Sequence, residues 1–197
     1  MANIKTDELS QFHEYNVYTP ARLIYLEGDI DKDSAGEFIR NIRLMDHVTD
    51  KDITVLINSE GGDVYQALAI IDSIKECNSR VITHAVGPCY SSAAWILQSG
   101  DLRKISSNSR IMVHIGEEGY SSDHPNIIKK WIKENERVSK TLNDMLLEKI
   151  KIKKPRFTKA KIDELLLFDT IFNATESIEI GLADEIVEHK EFKHGEN

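Results

Sequence analysis

Apolar residues follow two different periods along the chain. The segment Leu23–Leu26 is predicted to be a strand that Gly28 closes, and Val81–Val86 a strand that Gly87 ends. The continuous apolar run Ile53–Ile57 between them is typical of a parallel strand that is buried on both faces. Between these runs, apolar residues recur at helical spacing, once after the Asp-Ser pair at 33–34 and again after Asp63, and those polar residues can cap the helices. Strands that alternate with helices in this way predict an α/β fold.

One long helical pattern, from Pro125 to about Ile150, dominates the second half of the chain. Its apolar residues share one face, which fits burial against a partner and packing on the same domain equally well: Ile128, Trp131, Ile132, Val138, Leu142, Met145 and Leu146. A shorter helix capped by Thr158 is predicted through Leu167 and another from Thr175 to Ile180, followed by a last strand around residues 186–187.

Length and charge narrow the class of protein. The 197 residues suit one core, for which we predict an N-terminal arm at 1–20, a single domain at 21–190 and a tail at 191–197. The net charge of −8 argues against non-specific binding to nucleic acid or to an anionic membrane. No apolar run approaches the roughly 20 residues that a membrane helix needs.

The N-terminus and the cysteines indicate the compartment. The first eight residues lack the basic start and the apolar core of a signal peptide. Cys77 and Cys89 are the only cysteines, and neither lies in a CxxC or Cys/His cluster. We therefore expect a cytoplasmic protein that holds no metal or other cofactor.

Three separated segments carry candidate chemistry. The pair Gly61 and Gly62 is predicted to form a turn after a strand, Ser91 comes 29 residues after Gly62, and His114 comes 23 residues after Ser91 at the end of a strand. A serine hydroxyl is a weak nucleophile at neutral pH, and a histidine can act as the base that activates it. These types and this order are typical of a serine hydrolase, provided that the strands before Ser91 and His114 are neighbours.

The same segments predict an oxyanion hole and a third polar group. The N–H of Ser92, at the start of a helix, and the N–H of Gly62, which lets a substrate approach because it has no Cβ, are the candidate donors. Asp169 follows an apolar run, should be semi-buried, and is the candidate to orient the histidine. On spacing alone, Asp163 or Asp184 would serve almost as well.

Each signal is weak by itself, because a glycine pair usually marks a turn and a serine before a helix usually caps it. Together they resemble the proteolytic subunit of the Clp protease (ClpP family, peptidase family S14), from about Arg22 to Val187. The resemblance rests on four segments in one order: Asn58–Asp63, Gly87–Ala94, Met112–His114, and Asp169 standing before Ile180–Asp184.

The resemblance implies a fold, an activity and an assembly. The fold would be the ClpP/crotonase-like spiral of ββα units with a long protruding handle helix. The activity would be that of a serine endopeptidase with Ser91, His114 and Asp169 as the triad, and with Gly62 and Ser92 as oxyanion donors. The subunits would form a homo-oligomer of two stacked heptameric rings around a chamber. An AAA+ ATPase unfoldase would deliver protein substrates to that chamber.

Departures from the family pattern are typical of a divergent or phage-type member. Glu60 replaces a proline, residues 89–90 replace a small pair, Ser92 replaces methionine, and residues 115–116 replace Gln-Pro. Two alternative functions follow. A capsid-maturation protease of the same fold would keep the triad, whereas a crotonase-like acyl-CoA enzyme would use the oxyanion geometry without a serine nucleophile.

Overall fold

The structure is a computed structural model that describes residues 13–116 and 124–188. The strands are β1 Val17–Tyr18, β2 Leu23–Ile30, β3 Ile53–Gly62, β4 Val81–Tyr90, β5 Leu102–Ser106, β6 Arg110–Val113, β7 Thr170–Phe172 and β8 Glu185–Val187. The α-helices that lie wholly within the described ranges are α1 Lys32–Val48, α2 Val64–Lys75, α3 Ser92–Gln98, α4 Pro125–Lys153, α5 Lys159–Leu166 and α6 Ala174–Ile180, and a 3-10 turn lies at Thr19–Ala21. Residues 1–12 of the predicted arm and the whole predicted tail lie outside the described residues.

A mixed sheet forms the centre of the fold, with its main strands in the order β1-β2-β3-β4-β5-β8. In that order, each pair of neighbours among β2, β3, β4, β5 and β8 is parallel, and β1 adds an antiparallel edge. Helices α1, α2 and α3 connect the successive parallel strands β2, β3, β4 and β5. This alternation confirms the predicted α/β fold.

Strand β4 pairs with different neighbours along its length. Its first half, Ile82–Ala85, pairs with β5, whereas Pro88–Tyr90 pairs with β6. Strand β6 in turn pairs with β7 in the antiparallel sense. The carboxyl ends of the parallel strands β4 and β6 therefore lie side by side, which meets the condition for Ser91 to approach His114.

The glycines near the predicted strand ends lie inside the strands instead. Gly61 and Gly62 are the last residues of β3 and pair with β2, so the predicted turn at this position is wrong. Gly28 and Gly87 likewise lie within β2 and β4 rather than ending them. Buried residues alternate with more exposed ones along β3 and the first half of β4, because the helices cover one face of the sheet. The prediction of burial on both faces is therefore wrong.

Side-chain caps begin most of the helices. Asp63 caps α2 and Thr158 caps α5, as predicted. Helix α1 is capped by Asp31, whose carboxylate accepts from the backbone N–H of Asp33 and Ser34, so the predicted capping pair lies inside the helix. The predicted helix after Asp169 is confirmed as α6, and Gly181 ends it in the left-handed conformation.

Helix α4 has two different halves. Leu142, Leu146 and Ile150 in its C-terminal half are buried against the rest of the chain. In its N-terminal half, Trp131 is 44% exposed and Ile132 is 39% exposed. The apolar face predicted along the whole helix therefore packs on its own domain at one end and is open at the other.

A buried arginine ties the C-terminal segment to the core. Arg103 on β5 is 4% exposed and forms an ion pair with Asp184. The same guanidinium donates to Oε1 of Gln98 and to the carbonyl of Gly181, each at 2.7 Å. Because Gln98 ends α3, this network joins the helix that follows Ser91 to the turn before β8.

Candidate active site

Ser91 joins β4 to α3 in a backbone conformation that few residues other than glycine adopt. Its φ is 50° and its ψ is −130°. Its N–H donates to the carbonyl of Met112 at 2.9 Å, so β6 holds the junction in place. Such conformations cost about 1–3 kcal/mol and occur mainly at functional sites, where the surrounding structure maintains them.

The ring of His114 lies beside the Ser91 hydroxyl. Tyr90 at the end of β4 pairs with Met112 of β6, and His114 follows β6 directly. Oγ of Ser91 is 2.8 Å from Nε2 of His114. At this distance the serine O–H donates a hydrogen bond to the ring, and the ring can take the proton when the serine attacks.

Asp169 contacts the other nitrogen of the same ring. Nδ1 of His114 is 3.1 Å from Oδ1 of Asp169, which immediately precedes β7. The antiparallel pairing of β7 with β6 brings the carboxylate to the ring. When Asp169 accepts from Nδ1–H, the opposite nitrogen has no proton and can accept from Ser91.

The structure corrects the predicted burial of Asp169 and excludes the two alternative carboxylates. Asp169 is not semi-buried, because its side chain is 68% exposed at the start of β7, which among the described residues pairs with β6 alone. The alternatives that spacing allowed do not contact the ring: Asp163 lies within α5, and Asp184 is held by Arg103.

The two glycines of the pair have different roles. Gly61 is buried and faces the nucleophile, since a Cβ there would lie 2.8 Å from Cβ of Ser91 and 3.0 Å from the backbone nitrogen of Ser92. A Cβ on Gly62 would lie 2.4 Å from the carbonyl oxygen of Ile30. A side chain is therefore excluded at Gly62 by close packing on β2 and at Gly61 by close packing on the Ser91 junction, whereas Gly62 is the one of the two that lines the cavity.

Two further serines shape this region. The hydroxyl of Ser59, a residue that is 1% exposed, accepts the N–H of Gly61 at 3.0 Å. That bond occupies the Gly61 donor, so the N–H groups of Gly62 and Ser92 remain the candidate oxyanion donors. The Ser92 hydroxyl is buried and has no hydrogen-bond partner among the described residues.

A cavity of about 530 Å³ opens beside the three side chains. The start of α2, the start of α3, the residues after β6 and one face of α4 line it: Gly62, Asp63, Val64, Tyr65, Ser91, Ser92, Trp95, His114, Ile115, Gly116, Asn135, Val138, Ser139, Leu142 and Asn143. It is large enough for any amino-acid side chain, so the arrangement can hold a peptide next to an activated hydroxyl.

Sequence reasoning missed several residues that shape the site. Gly61 and Ser59 lie close to Gly62, but only the pairing of β3 with β4 brings them against Ser91. Trp95 follows Ser91 by four residues, which is the helical spacing that places two residues on one face. That spacing was a usable signal for a cavity residue.

A sequence profile described as "Clp protease" matches residues 6–190. The chain belongs to the Clp protease family. One relative, the ATP-dependent Clp protease proteolytic subunit 1 of Thermobifida fusca (strain YX), is 28% identical over 192 residues, covering 92% of this chain and 81% of that protein. Another, the chloroplastic ATP-dependent Clp protease proteolytic subunit 3 of Arabidopsis thaliana, is also 28% identical, over 183 residues that cover 88% of this chain and 55% of its own length.

Membership of the Clp protease family confirms the resemblance seen in the sequence and makes this chain a serine peptidase of that kind. The mixed sheet and the long helix α4 agree with the expected fold. Within the described residues, no helix is long and apolar enough to cross a membrane. The same ranges hold no group of three His, Cys, Asp or Glu side chains that could bind a metal ion.

Proposed function

We propose that this Clp protease family member is an endopeptidase that cleaves protein chains with Ser91 as nucleophile, His114 as general base and Asp169 as the group that orients His114. The contact that carries the proposal is the 2.8 Å separation of Ser91 Oγ from His114 Nε2. The bond from His114 to Asp169 supports it, because it leaves the nitrogen that faces Ser91 without a proton.

The reaction follows from these positions. Oγ of Ser91 attacks the carbonyl carbon of the peptide while its proton passes to Nε2 of His114. The carbonyl oxygen becomes an oxyanion and accepts hydrogen bonds from the N–H groups of Gly62 and Ser92. The carbon–nitrogen bond then breaks, and His114 gives the proton to the leaving amine. Water attacks the remaining ester with His114 again as base, which releases the acid and restores Ser91.

Labelling with a fluorophosphonate tests this assignment, because only an activated serine reacts with it. Intact mass should show one adduct per chain on the unsubstituted protein and none on Ser91→Ala. Ser92→Ala is the matched control, since it removes a neighbouring hydroxyl that has no partner among the described residues and keeps the backbone N–H. A labelled Ser91→Ala protein, together with an unlabelled Ser92→Ala protein, would overturn the proposal.

The same experiment separates the peptidase from an acyl-CoA enzyme of the related fold. A crotonase-type reaction needs the oxyanion donors but not a serine beside a histidine. The short Ser91–His114 distance and membership of the Clp protease family both favour the peptidase. An acyl-CoA enzyme would keep its activity in Ser91→Ala.

The active particle in our proposal is a homo-oligomer of two stacked heptameric rings. The open N-terminal half of α4, with Ile127 and Trp131 exposed, is the proposed contact between the rings. Both relatives are named as ATP-dependent subunits, which supports a partner AAA+ ATPase that unfolds the substrates. Sedimentation should therefore give the mass of a tetradecamer. We also propose that this particle is located in the cytoplasm. A fully active monomer would contradict the enclosed chamber.

A further inference from the structure

One hydrogen bond joins the helix that carries the nucleophile to the helix that lines the cavity. The indole N–H of Trp95 on α3 donates to the carbonyl oxygen of Leu142 on α4 at 3.1 Å. Trp95 is 5% exposed, and both residues line the cavity beside Ser91. The bond is therefore shielded from water, where a lost partner is not readily replaced.

The position of Trp95 relative to Ser91 gives the bond its importance. Ser91 is the N-cap of α3, and Trp95 lies one turn along the same helix. The indole holds α3 and α4 together. Without that bond α4 is free to move, and the wall of the cavity moves with it relative to the nucleophile. On the α4 side, Asn135, Ser139 and Leu142 form part of that wall, at spacings of four and three along the helix.

We propose that Trp95 is a positioning and specificity-determining residue. Its N–H sets the distance between α4 and the nucleophile, and its ring closes one end of the cavity that receives a substrate side chain next to the scissile bond. This inference rests on the proposed peptidase function and goes beyond it, because it assigns the size limit of the accepted side chain to a residue outside the triad. A smaller residue at 95 enlarges the cavity and admits larger side chains.

Trp95→Phe keeps an aromatic ring and removes the N–H donor. On peptide substrates with a large residue before the scissile bond, we expect KM to rise by about three- to tenfold, the range of one neutral hydrogen bond, with little change in kcat. The labelling rate with a small fluorophosphonate should not change, since that reagent does not need the cavity. Trp95→Ala should shift preference toward larger side chains. Tyr15→Phe, which likewise removes one polar hydrogen from an aromatic side chain but at a residue that is 53% exposed, is the matched control and should behave as the unsubstituted protein.

Fluorescence provides a measurement that leaves Trp95 intact. The chain has 2 tryptophans, so in Trp131→Phe the emission comes from Trp95 alone. Binding of a peptide aldehyde should shift that emission in proportion to occupancy of Ser91. An unchanged emission, unchanged kinetics of Trp95→Phe, or an equal loss of hydrolysis and labelling would each overturn the role given to Trp95. If the unsubstituted protein is not labelled at all, the proposed function itself has failed, and this inference fails with it.

Discussion

Nδ1 of His114 lies 3.1 Å from Oδ1 of Asp169, although the Asp169 side chain is 68% exposed. In a water-accessible pair the charge is screened, so the main effect of the carboxylate is to orient the ring and select its tautomer. The described residues of one chain thus bring the three proposed catalytic side chains into contact, while the shielding that strengthens such a bond is incomplete.

Asp169→Asn should lower kcat by about two to four orders of magnitude, because an amide can donate to Nδ1 and thereby stabilise the wrong tautomer. Steady-state hydrolysis of a fluorogenic peptide measures the effect. Asp163→Asn on α5 is the control and should match the unsubstituted protein. Unchanged turnover in Asp169→Asn would assign the orienting role to another group.

Gly61→Ala should abolish most of the activity and destabilise the fold by about 1–3 kcal/mol, because the residue has φ of 100° and a Cβ would stand 2.8 Å from Ser91 Cβ. Thermal unfolding and peptide hydrolysis check this. Gly28→Ala is the matched control: its φ is also positive, at 73°, but a Cβ there meets no atom of the described residues within 4 Å. It should lose some stability and keep its activity. Equal activity in the two variants would contradict the role of Gly61.

The alternation of strands and helices, and the position of Ser91 between them, could be predicted from the sequence because both depend on local patterns. Strand β5 was missed because Arg103 and Lys104 interrupt its apolar pattern. Arg103 is nonetheless buried, because it is paired with Asp184. That partner lies 81 positions away in the sequence, so no local pattern indicates the pair. Strand β7 has only three residues, too few for a period to be seen.

The residues of the candidate site could be predicted from the sequence, but their exposure and the contacts around them could not. The contact of Ser91 with His114 depends on β4 pairing with two different strands, which is a long-range property that no local pattern reports. The exposure of Asp169 and the division of α4 into a buried and an open half depend on what packs nearby. The family resemblance therefore identified the residues, and the structure supplied their surroundings.

The ion pair of Arg103 predicts a pH-dependent stability. Burial raises the pKa of Asp184, but hydrogen bonds from the side chain and backbone of Arg103 outweigh it and hold the pKa below its usual 3.8. A carboxyl whose pKa is lowered in the folded state adds stability above its unfolded pKa and loses it as the pH falls through the folded value. This contribution should be complete at neutral pH, should begin to decline near pH 3.8, and should be lost as the pH falls further through the lower folded-state pKa.

Arg103→Leu should therefore lower the free energy of unfolding by about 2–4 kcal/mol at pH 7, since it also leaves Gln98 and the Gly181 carbonyl without their donor. The difference from the unsubstituted protein should narrow in acid, as chemical denaturation at several pH values would reveal. Arg80→Leu is the control, because its pair with Asp52 is exposed and 3.8 Å long. An equal loss in both variants would refute the network.

Trp131→Glu should split the proposed double ring into single rings and lower its activity. Burying even an uncharged polar group without a partner costs about 1–3 kcal/mol, and an unpaired charge in an apolar contact costs more than that in each copy. Analytical ultracentrifugation measures the size. Ile152→Glu, on the same helix and 74% exposed, is the control and should leave the particle intact. An intact particle in Trp131→Glu would move the ring contact elsewhere.

The left-handed backbone of Ser91 has a consequence for how this protein would respond to selection. Glycine adopts φ of 50° without strain, so the free energy of unfolding of Ser91→Gly should exceed that of Ser91→Ala by about 1 kcal/mol, and its unfolding temperature should be higher. Neither variant should hydrolyse peptides. Calorimetry of the two variants measures the difference. Evolution for heat resistance alone would thus replace the proposed nucleophile with glycine, whereas evolution for turnover must keep a serine in a conformation that weakens the fold.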